Sequence, residues 1–155
     1  MAYIDNFQRL ADAQAFTSSA VSENVIDLED IRSIGSGEAI AVVFTVTTAA
    51  DQTSGDEDYS FDVRIDSNTD MTTASQVLGR RIYESGTPTA PAQNADLLVA
   101  GHQFVIVIPP ITDDETMRYL GAFGILAGTS PSVTVDIDVK PLSRVDKTNL
   151  YANGY

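Results

Sequence analysis

Residues 59–66, with the sequence YSFDVRID, set the fold class because apolar and polar side chains alternate in them without a break. The apolar members are Tyr59, Phe61, Val63 and Ile65, and the polar members are Ser60, Asp62, Arg64 and Asp66. Successive side chains of a β-strand point to opposite faces of the sheet. The stretch therefore predicts a half-buried antiparallel strand whose polar face meets water.

Two more stretches repeat this period of two. In Ser132–Lys140 the apolar residues are Val133, Val135, Ile137 and Val139, and Thr134, Asp136, Asp138 and Lys140 alternate with them. In Glu38–Thr48 apolar residues occupy one face, and the other face carries Ala41, Val43 and Thr45. We expect the second stretch to form a central strand with both faces at least partly buried.

Less regular strands are predicted at Gln14–Ser19, Asn24–Leu28, Val77–Tyr83, Leu97–Val99, Gln103–Ile108 and Met117–Ala127. The alternative for Val77–Tyr83 is a short helix capped by Asp70. Gly121 and Gly124 predict a bend or a close backbone approach within the last strand. About eight short strands with turn sequences between them and no long helical pattern predict an all-β fold, a β-sandwich or a barrel.

The length of 155 residues fits one domain, without an internal repeat or a domain boundary. The chain has no cysteine, which excludes disulfides, zinc–thiolate sites and cysteine nucleophiles. No apolar run approaches the roughly 20 residues of a transmembrane helix. The start, MAYIDNFQRL, lacks the basic and apolar segments of a signal peptide. We therefore expect a protein that is made and used without secretion.

The formal net charge of −13 argues against nucleic acid and anionic membranes as partners, since both repel an acidic surface. The charge is uneven. Residues 1–138 hold six arginines and 21 acidic residues, whereas residues 139–155 hold Lys140, Arg144 and Lys147 against Asp146. The basic end is interpreted either as a solvated tail or as a tail that meets an acidic surface, such as a neighbouring copy.

The sequence offers no catalytic site. His102 is the only histidine and so the only candidate base of a serine hydrolase, but no G-x-S-x-G motif accompanies it. We expect His102 to be structural or solvent-exposed. No Walker loop and no G-x-G-x-x-G motif is present to bind a nucleotide. The chain is accordingly predicted not to be an enzyme and to need no cofactor.

Two acidic clusters, Asp56–Asp58 and Asp113–Glu115, are the candidates for a cation site. Calcium binds through several carboxylate oxygens, so a calcium-dependent structural domain is one hypothesis. The first cluster lacks the D-x-D-x-D-G register and the distal glutamate of a calcium loop. Solvated loops are therefore expected, and no metal site is predicted.

Both ends of the chain carry apolar or aromatic residues outside the strand pattern, and residues 1–12 and 143–155 are predicted to form arms. The predicted interface residues are Tyr3, Ile4, Phe7 and Leu10 in the first arm, and Arg144, Lys147, Tyr151 and Tyr155 in the second. Tyrosine suits an interface because it combines apolar area with a polar tip. The alternatives are an N-terminal arm that folds back onto the sandwich and a C-terminal arm that is frayed.

Several short motifs occur in a characteristic order along nearly the whole chain. They are Met1-Ala-Tyr-Ile-Asp-Asn-Phe7, Asp12-Ala-Gln-Ala15, Asn24-Val-Ile-Asp-Leu28, Gly37-Glu38, Pro109-Pro110 and Arg118-Tyr-Leu-Gly121. In this order they resemble the capsid cement (decoration) proteins of tailed bacteriophages, of the jelly-roll type. The resemblance implies one antiparallel β-sandwich of about eight strands with extended arms.

The resemblance also implies a role without catalytic residues. Proteins of this kind are synthesised in the host cytoplasm and sit on the outer capsid surface of the virion, often as homodimers. They bridge neighbouring major capsid proteins and stabilise the shell. The alternative is a carbohydrate- or receptor-binding jelly-roll module of a phage particle. The chain has no tryptophan, which disfavours a sugar-binding aromatic platform.

Overall fold

The computed structural model of the chain describes residues 8–28, 38–73, 75–110 and 117–145. The strands in these ranges are β1 (Arg9–Phe16), β2 (Ala20–Val21), β3 (Ile26–Asp27), β4 (Ile40–Thr48), β5 (Asp58–Asp66), β6 (Gln76–Glu84), β7 (Gln93–Asn94), β8 (Gln103–Ile108), β9 (Tyr119–Ala127) and β10 (Val133–Pro141). Short 3-10 helices lie at Ala95–Leu97 and Leu142–Arg144. Within the described ranges, no helix is long and apolar enough to cross a membrane.

The strands form two sheets that pack face to face. The first sheet has the order β1-β10-β4-β8, and the second has the order β2-β9-β5-β6-β7 with β3 also paired to β9. All pairings are antiparallel except that of β6 with β7. The chain passes repeatedly from one sheet to the other, which is the jelly-roll arrangement of a β-sandwich. The predicted fold class is therefore confirmed.

Phenylalanine rings form the centre of the core between the two sheets. The ring centroids of Phe44 and Phe104 are 4.7 Å apart and stacked, and those of Phe44 and Phe61 are 5.6 Å apart. Phe16 meets Phe61 edge to face at 6.3 Å. The four rings come from β1, β4, β5 and β8, so this cluster joins three strands of the first sheet to the second.

The predicted strands are confirmed with one exception. The three alternating stretches form β4, β5 and β10, and Val77–Tyr83 lies within β6, so its helical alternative is wrong. Leu97–Val99 is not a strand. The Asn94 side chain accepts a hydrogen bond of 2.8 Å from the Asp96 N–H and caps the 3-10 helix Ala95–Leu97 instead.

The prediction that the polar face of β5 meets water is wrong. Asp62 and Asp66 are fully buried. The loop of residues 67–73 covers this face near the end of β5, where the Asn68 N–H donates to the Asp66 carboxylate at 2.9 Å. Met71 is also fully buried, and a Cβ at Gly121 would lie 2.9 Å from its Cε. The predicted close approach at Gly121 is thus a contact with this loop.

Both faces of β4 are buried, as predicted, because the chain after β10 turns back over the outer face. Val145 is 7% exposed and packs with Ala41, Val43 and Val105. Leu142 packs against the same cluster. Residues 143–145 of the predicted C-terminal arm therefore belong to the folded domain.

The predicted N-terminal arm is wrong for residues 9–12, which lie in β1. This strand pairs with β10, and Leu10 is fully buried in the core. The apolar side chain that suggested an interface fills the sandwich instead. Residues 1–7 of the predicted arm lie outside the described residues.

The strand directions place both ends of the described chain at one end of the sandwich. Because β1 is antiparallel to β10, the start of β1 lies beside the end of β10. The β4–β5 and β9–β10 loops lie at the opposite end, where the Asp56 carboxylate accepts hydrogen bonds from the Thr129 N–H (3.0 Å) and Oγ1 (2.9 Å). These bonds lower the pKa of Asp56.

Close packing of these two loops depends on Gly128. Its φ of 97° is unfavourable for residues with a side chain, and a Cβ there would overlap the Asp56 carbonyl oxygen. We expect Gly128→Ala to lower the free energy of unfolding by about 2–4 kcal/mol, since the overlap adds to the backbone strain. Urea denaturation followed by circular dichroism measures this loss.

Gly55→Ala is the matched control. Gly55 also has a positive φ, of 73°, but a Cβ there would meet nothing within 4 Å. Its cost is expected to be only about 1–2 kcal/mol, from the backbone conformation alone. Equal losses for the two variants would contradict the importance of the close approach between the loops.

Candidate interaction surface

Only two of the predicted interface residues lie within the described part of the chain. Leu10 lies in the core and is not available to a partner, whereas Arg144 ends the second 3-10 helix and is exposed. The others lie outside the described residues, namely Tyr3, Ile4, Phe7, Lys147, Tyr151 and Tyr155. Their role at an interface stays a prediction.

The outer face of the second sheet carries an ionic cluster around Asp62, whose side chain is 0% exposed. Arg80, directly opposite on β6, donates from Nε to Oδ1 at 2.5 Å and from Nη2 to Oδ2 at 2.7 Å. Arg64 donates from Nε and Nη2 to Oδ2 at 3.0 and 2.8 Å. One buried carboxylate thus binds two guanidinium groups. The pairing offsets the cost of burying the negative charge of Asp62.

The two arginines differ in their access to solvent. Arg64 is 12% exposed, donates from Nη1 to the Met71 carbonyl at 2.8 Å, and places its Cζ 4.2 Å from the centroid of the Phe123 ring. Arg80 is 43% exposed, and its hydrogen bonds with Asp62 raise its pKa. The cluster thus presents a positive charge, held in one geometry, on a strongly acidic chain.

Half-buried apolar residues surround the cluster. Phe123 lies opposite Asp62, and Ile82 and Ile125 lie on either side of Ser60. Because Ser60 and Asp62 point to the same face of β5, all three half-buried side chains lie on the face of Asp62. We call this surface the arginine face, comprising Asp62, Arg64, Arg80, Ile82, Phe123 and Ile125. Aromatic residues and arginine are enriched at protein–protein interfaces. Since the buried carboxylate already orients the arginines, a partner would immobilise little additional side-chain freedom.

A shallow groove of about 250 Å³ borders the arginine face at the edge of β6. Its lining residues are Arg80, Arg81, Ile82, Pro91 and Gln93. Sequence reasoning missed both the face and the groove. The available signal was the spacing of Asp62 and Arg64 on one face of a strand, but the pairing with Arg80 follows only from the β5–β6 register.

His102 lies apart from this surface and packs against aromatic rings. Its ring centroid is 6.3 Å from that of Tyr83 and 6.1 Å from that of Phe104. Its Nε2 is buried without a hydrogen-bond partner among the described residues. Burial lowers the pKa of His102. The imidazole therefore fills space at the margin of the core.

The acidic loop before β5 uses its carboxylates within the domain. Glu57 is fully buried and accepts hydrogen bonds from the Ser54 N–H (2.8 Å) and the Asp56 N–H (3.1 Å). Asp51 accepts from the Thr53 N–H at 3.0 Å. In the described ranges, no group of three or more acidic, histidine or cysteine side chains is placed to hold a metal ion. The second acidic cluster, Asp113–Glu115, lies outside those ranges.

The burial of Asp62 should make its ion pairs important for stability. We expect Asp62→Ala to lower the free energy of unfolding by about 2–4 kcal/mol, because it leaves Arg64 and Arg80 without their shared acceptor. Asp27→Ala is the control, since Asp27 also pairs with an arginine through two hydrogen bonds but is 45% exposed. That loss should stay below about 1 kcal/mol in the same urea titration. A similar loss for both variants would contradict this assignment.

The pKa of His102 also predicts a pH dependence. Because burial lowers it below the ordinary 6.5, the unfolded chain binds this proton more readily than the folded chain. Acidification through 6.5 toward the lower folded pKa should therefore cost stability, by at most about 1.4 kcal/mol per pH unit from this residue. His102→Gln should remove this contribution in denaturation series between about pH 7 and 5. An unchanged slope would contradict the shift.

A comparison with protein-family models matches residues 10–139 of the chain to a model described as Bbp16. The match runs from Leu10 in β1 to Val139 in β10 and so includes every long strand of the sandwich. The comparison with curated proteins gives no match.

Proposed function

The chain belongs to the Bbp16 family of phage-related proteins, and we propose that it is a structural protein of a phage virion. In this proposal it decorates the outside of an icosahedral capsid. There it bridges major capsid proteins and stabilises the shell. The family match carries the proposal, because it spans the jelly-roll sandwich itself rather than an appended segment.

The surface supports a role in adhesion. The arginine face offers fixed charged groups beside half-buried apolar side chains, a composition suited to a protein partner. A decoration protein is present in many copies, so an interaction of modest strength suffices when the copies also engage one another. The net charge of −13 would keep free copies apart before assembly.

The positions of the chain ends support the same role. The start of β1 and the end of β10 lie together at one end of the sandwich. The residues before Gln8 connect to this end, and those after Val145 connect to the outer face of the first sheet, where Val145 packs against β4 and β8. We propose that they bind the major capsid protein or a second copy in a homodimer.

Capsid binding tests the proposal directly. Purified protein is mixed with phage shells that lack it, and the two are separated from free protein on a sucrose gradient. We expect co-sedimentation at a constant ratio of protein to shell and a rise in the melting temperature of the shell. Absence of co-sedimentation, together with binding on a glycan array, would instead support a sugar-binding module.

Deletion of residues 1–7 or 146–155 should weaken shell binding by about tenfold or more, because every copy on the lattice would then be held by fewer interactions. The melting temperature of the free domain should change little, since both deletions spare β1 and Val145. A large fall in melting temperature with unchanged shell binding would show that these residues serve the fold.

A further inference from the structure

The loop of residues 67–73, between β5 and β6, holds one buried residue. Met71 is fully buried, whereas the other six residues of the loop are exposed. The Asn68 N–H donates to the side chain of Asp66, two residues earlier in the chain, so this bond shapes the turn and does not join it to β9. Met71 therefore provides the main apolar contact between this loop and the outer face of the second sheet.

Gly121 makes room for the Met71 side chain. It lies opposite Arg64 in the pairing of β5 with β9 and shares its outward face. A Cβ on Gly121 would lie 2.9 Å from the Cε of Met71 and 3.0 Å from the Cγ1 of Val25. Arg64 borders the same space, and its Nη1 donates to the Met71 carbonyl oxygen at 2.8 Å. We call this space the methionine slot, comprising Val25, Arg64 and Gly121.

The backbone of Met71 is strained where the side chain fills the slot. Its φ of 57° lies in the left-handed region, which bulky residues rarely adopt. The Met71 N–H lies 3.5 Å from the Asn68 carbonyl oxygen, which is long for a hydrogen bond. Departure of the methionine would relieve the backbone strain but would lose the burial of one apolar side chain. These opposing contributions are of similar size, so the closed loop is held by a small margin.

We propose that the loop of residues 67–73 is a lid that opens while the sandwich stays folded, with Met71 as the residue that closes it. In the closed state Met71 fills the methionine slot. In the open state the slot becomes an apolar extension of the arginine face, bordered by Arg64, which keeps its bonds to Asp62. The lid thereby sets how much of this face a partner can contact. The inference concerns the domain alone and holds whether or not the protein binds a capsid.

The absence of cysteine from the chain allows a direct measurement of lid opening. Single-cysteine variants of the full-length protein are treated with an excess of an aromatic disulfide, and absorbance gives the rate of thiol labelling. Met71→Cys reports on the lid, Thr69→Cys is the exposed control in the same loop, and Val135→Cys reports on the core. Labelling of Met71→Cys should be at least about 100-fold slower than that of Thr69→Cys and at least about 100-fold faster than that of Val135→Cys, because local opening costs less than global unfolding.

Urea distinguishes local opening from unfolding. Local opening exposes little surface, so labelling of Met71→Cys should hardly change with urea below the unfolding transition, whereas labelling of Val135→Cys should rise steeply. Oxidation of Met71 to the sulfoxide by hydrogen peroxide, followed by mass spectrometry, repeats the measurement in the unaltered protein. It should show the same weak dependence on urea. This second readout keeps the test valid if the shorter cysteine side chain itself loosens the lid.

Two glycine variants in β9 test the slot. Gly121→Ala places a Cβ against the end of the Met71 side chain and should raise the rate of Met71 oxidation at least about tenfold, because it favours the open lid. Gly124→Ala is the matched control, since its Cβ would lie 2.8 Å from the Cδ1 of Phe16 in the core. It should lower the free energy of unfolding but leave the oxidation of Met71 unchanged while the domain is folded.

Three results would overturn the proposal. Equal labelling rates for Met71→Cys and Val135→Cys, with the same dependence on urea, would make the loop a fixed part of the fold. Labelling of Met71→Cys as fast as Thr69→Cys, together with rapid oxidation of Met71 in the unaltered protein, would show that the methionine does not close the slot. Equal acceleration of Met71 oxidation by Gly121→Ala and Gly124→Ala would assign the exposure of Met71 to global unfolding.

Discussion

The packing of Phe61 against Phe44 and Phe104 sets the rest of the structure, because it determines which face of β5 looks outward. A strand with a period of two cannot slip by one residue without exchanging its faces. With Phe61 held between the sheets, Asp62 must point away from the core, where it lies opposite Arg80 and Phe123. The ionic cluster on the outer face is thus a consequence of aromatic packing on the inner one.

Additional layers outside the sandwich determine which surfaces a partner can reach. The loop of residues 67–73 covers the outer face of the second sheet near Gly121, where Met71 is buried. On the first sheet, Val145 covers an apolar strip of β4 and β8. The arginine face lies beside the first of these covered regions, since Arg64 donates a hydrogen bond to the Met71 carbonyl. Asp62 holds the guanidinium groups of this face in one geometry.

The buried polar groups of this phage-related domain are used within the fold. The strongly buried carboxylates of Asp62 and Glu57 are engaged by arginines or by backbone N–H groups. His102 packs against Tyr83 and Phe104. Buried polar groups of this kind hold loops and strands in one arrangement, which suits the structural role that we propose.

Local sequence patterns were enough to predict the all-β class and the positions of β4, β5, β8, β9 and β10, because alternation and turn residues act between near neighbours. The burial of individual polar residues could not be predicted in this way, because it depends on the packing of the whole chain. Asp27 and Asp62 both pair with arginines, yet the first is 45% exposed and the second 0%, since burial depends on the strands and loops beside them. Leu10 similarly resembles an arm residue until the pairing of β1 with β10 places it in the core. Such contacts join residues far apart in the chain, so no local pattern encodes them.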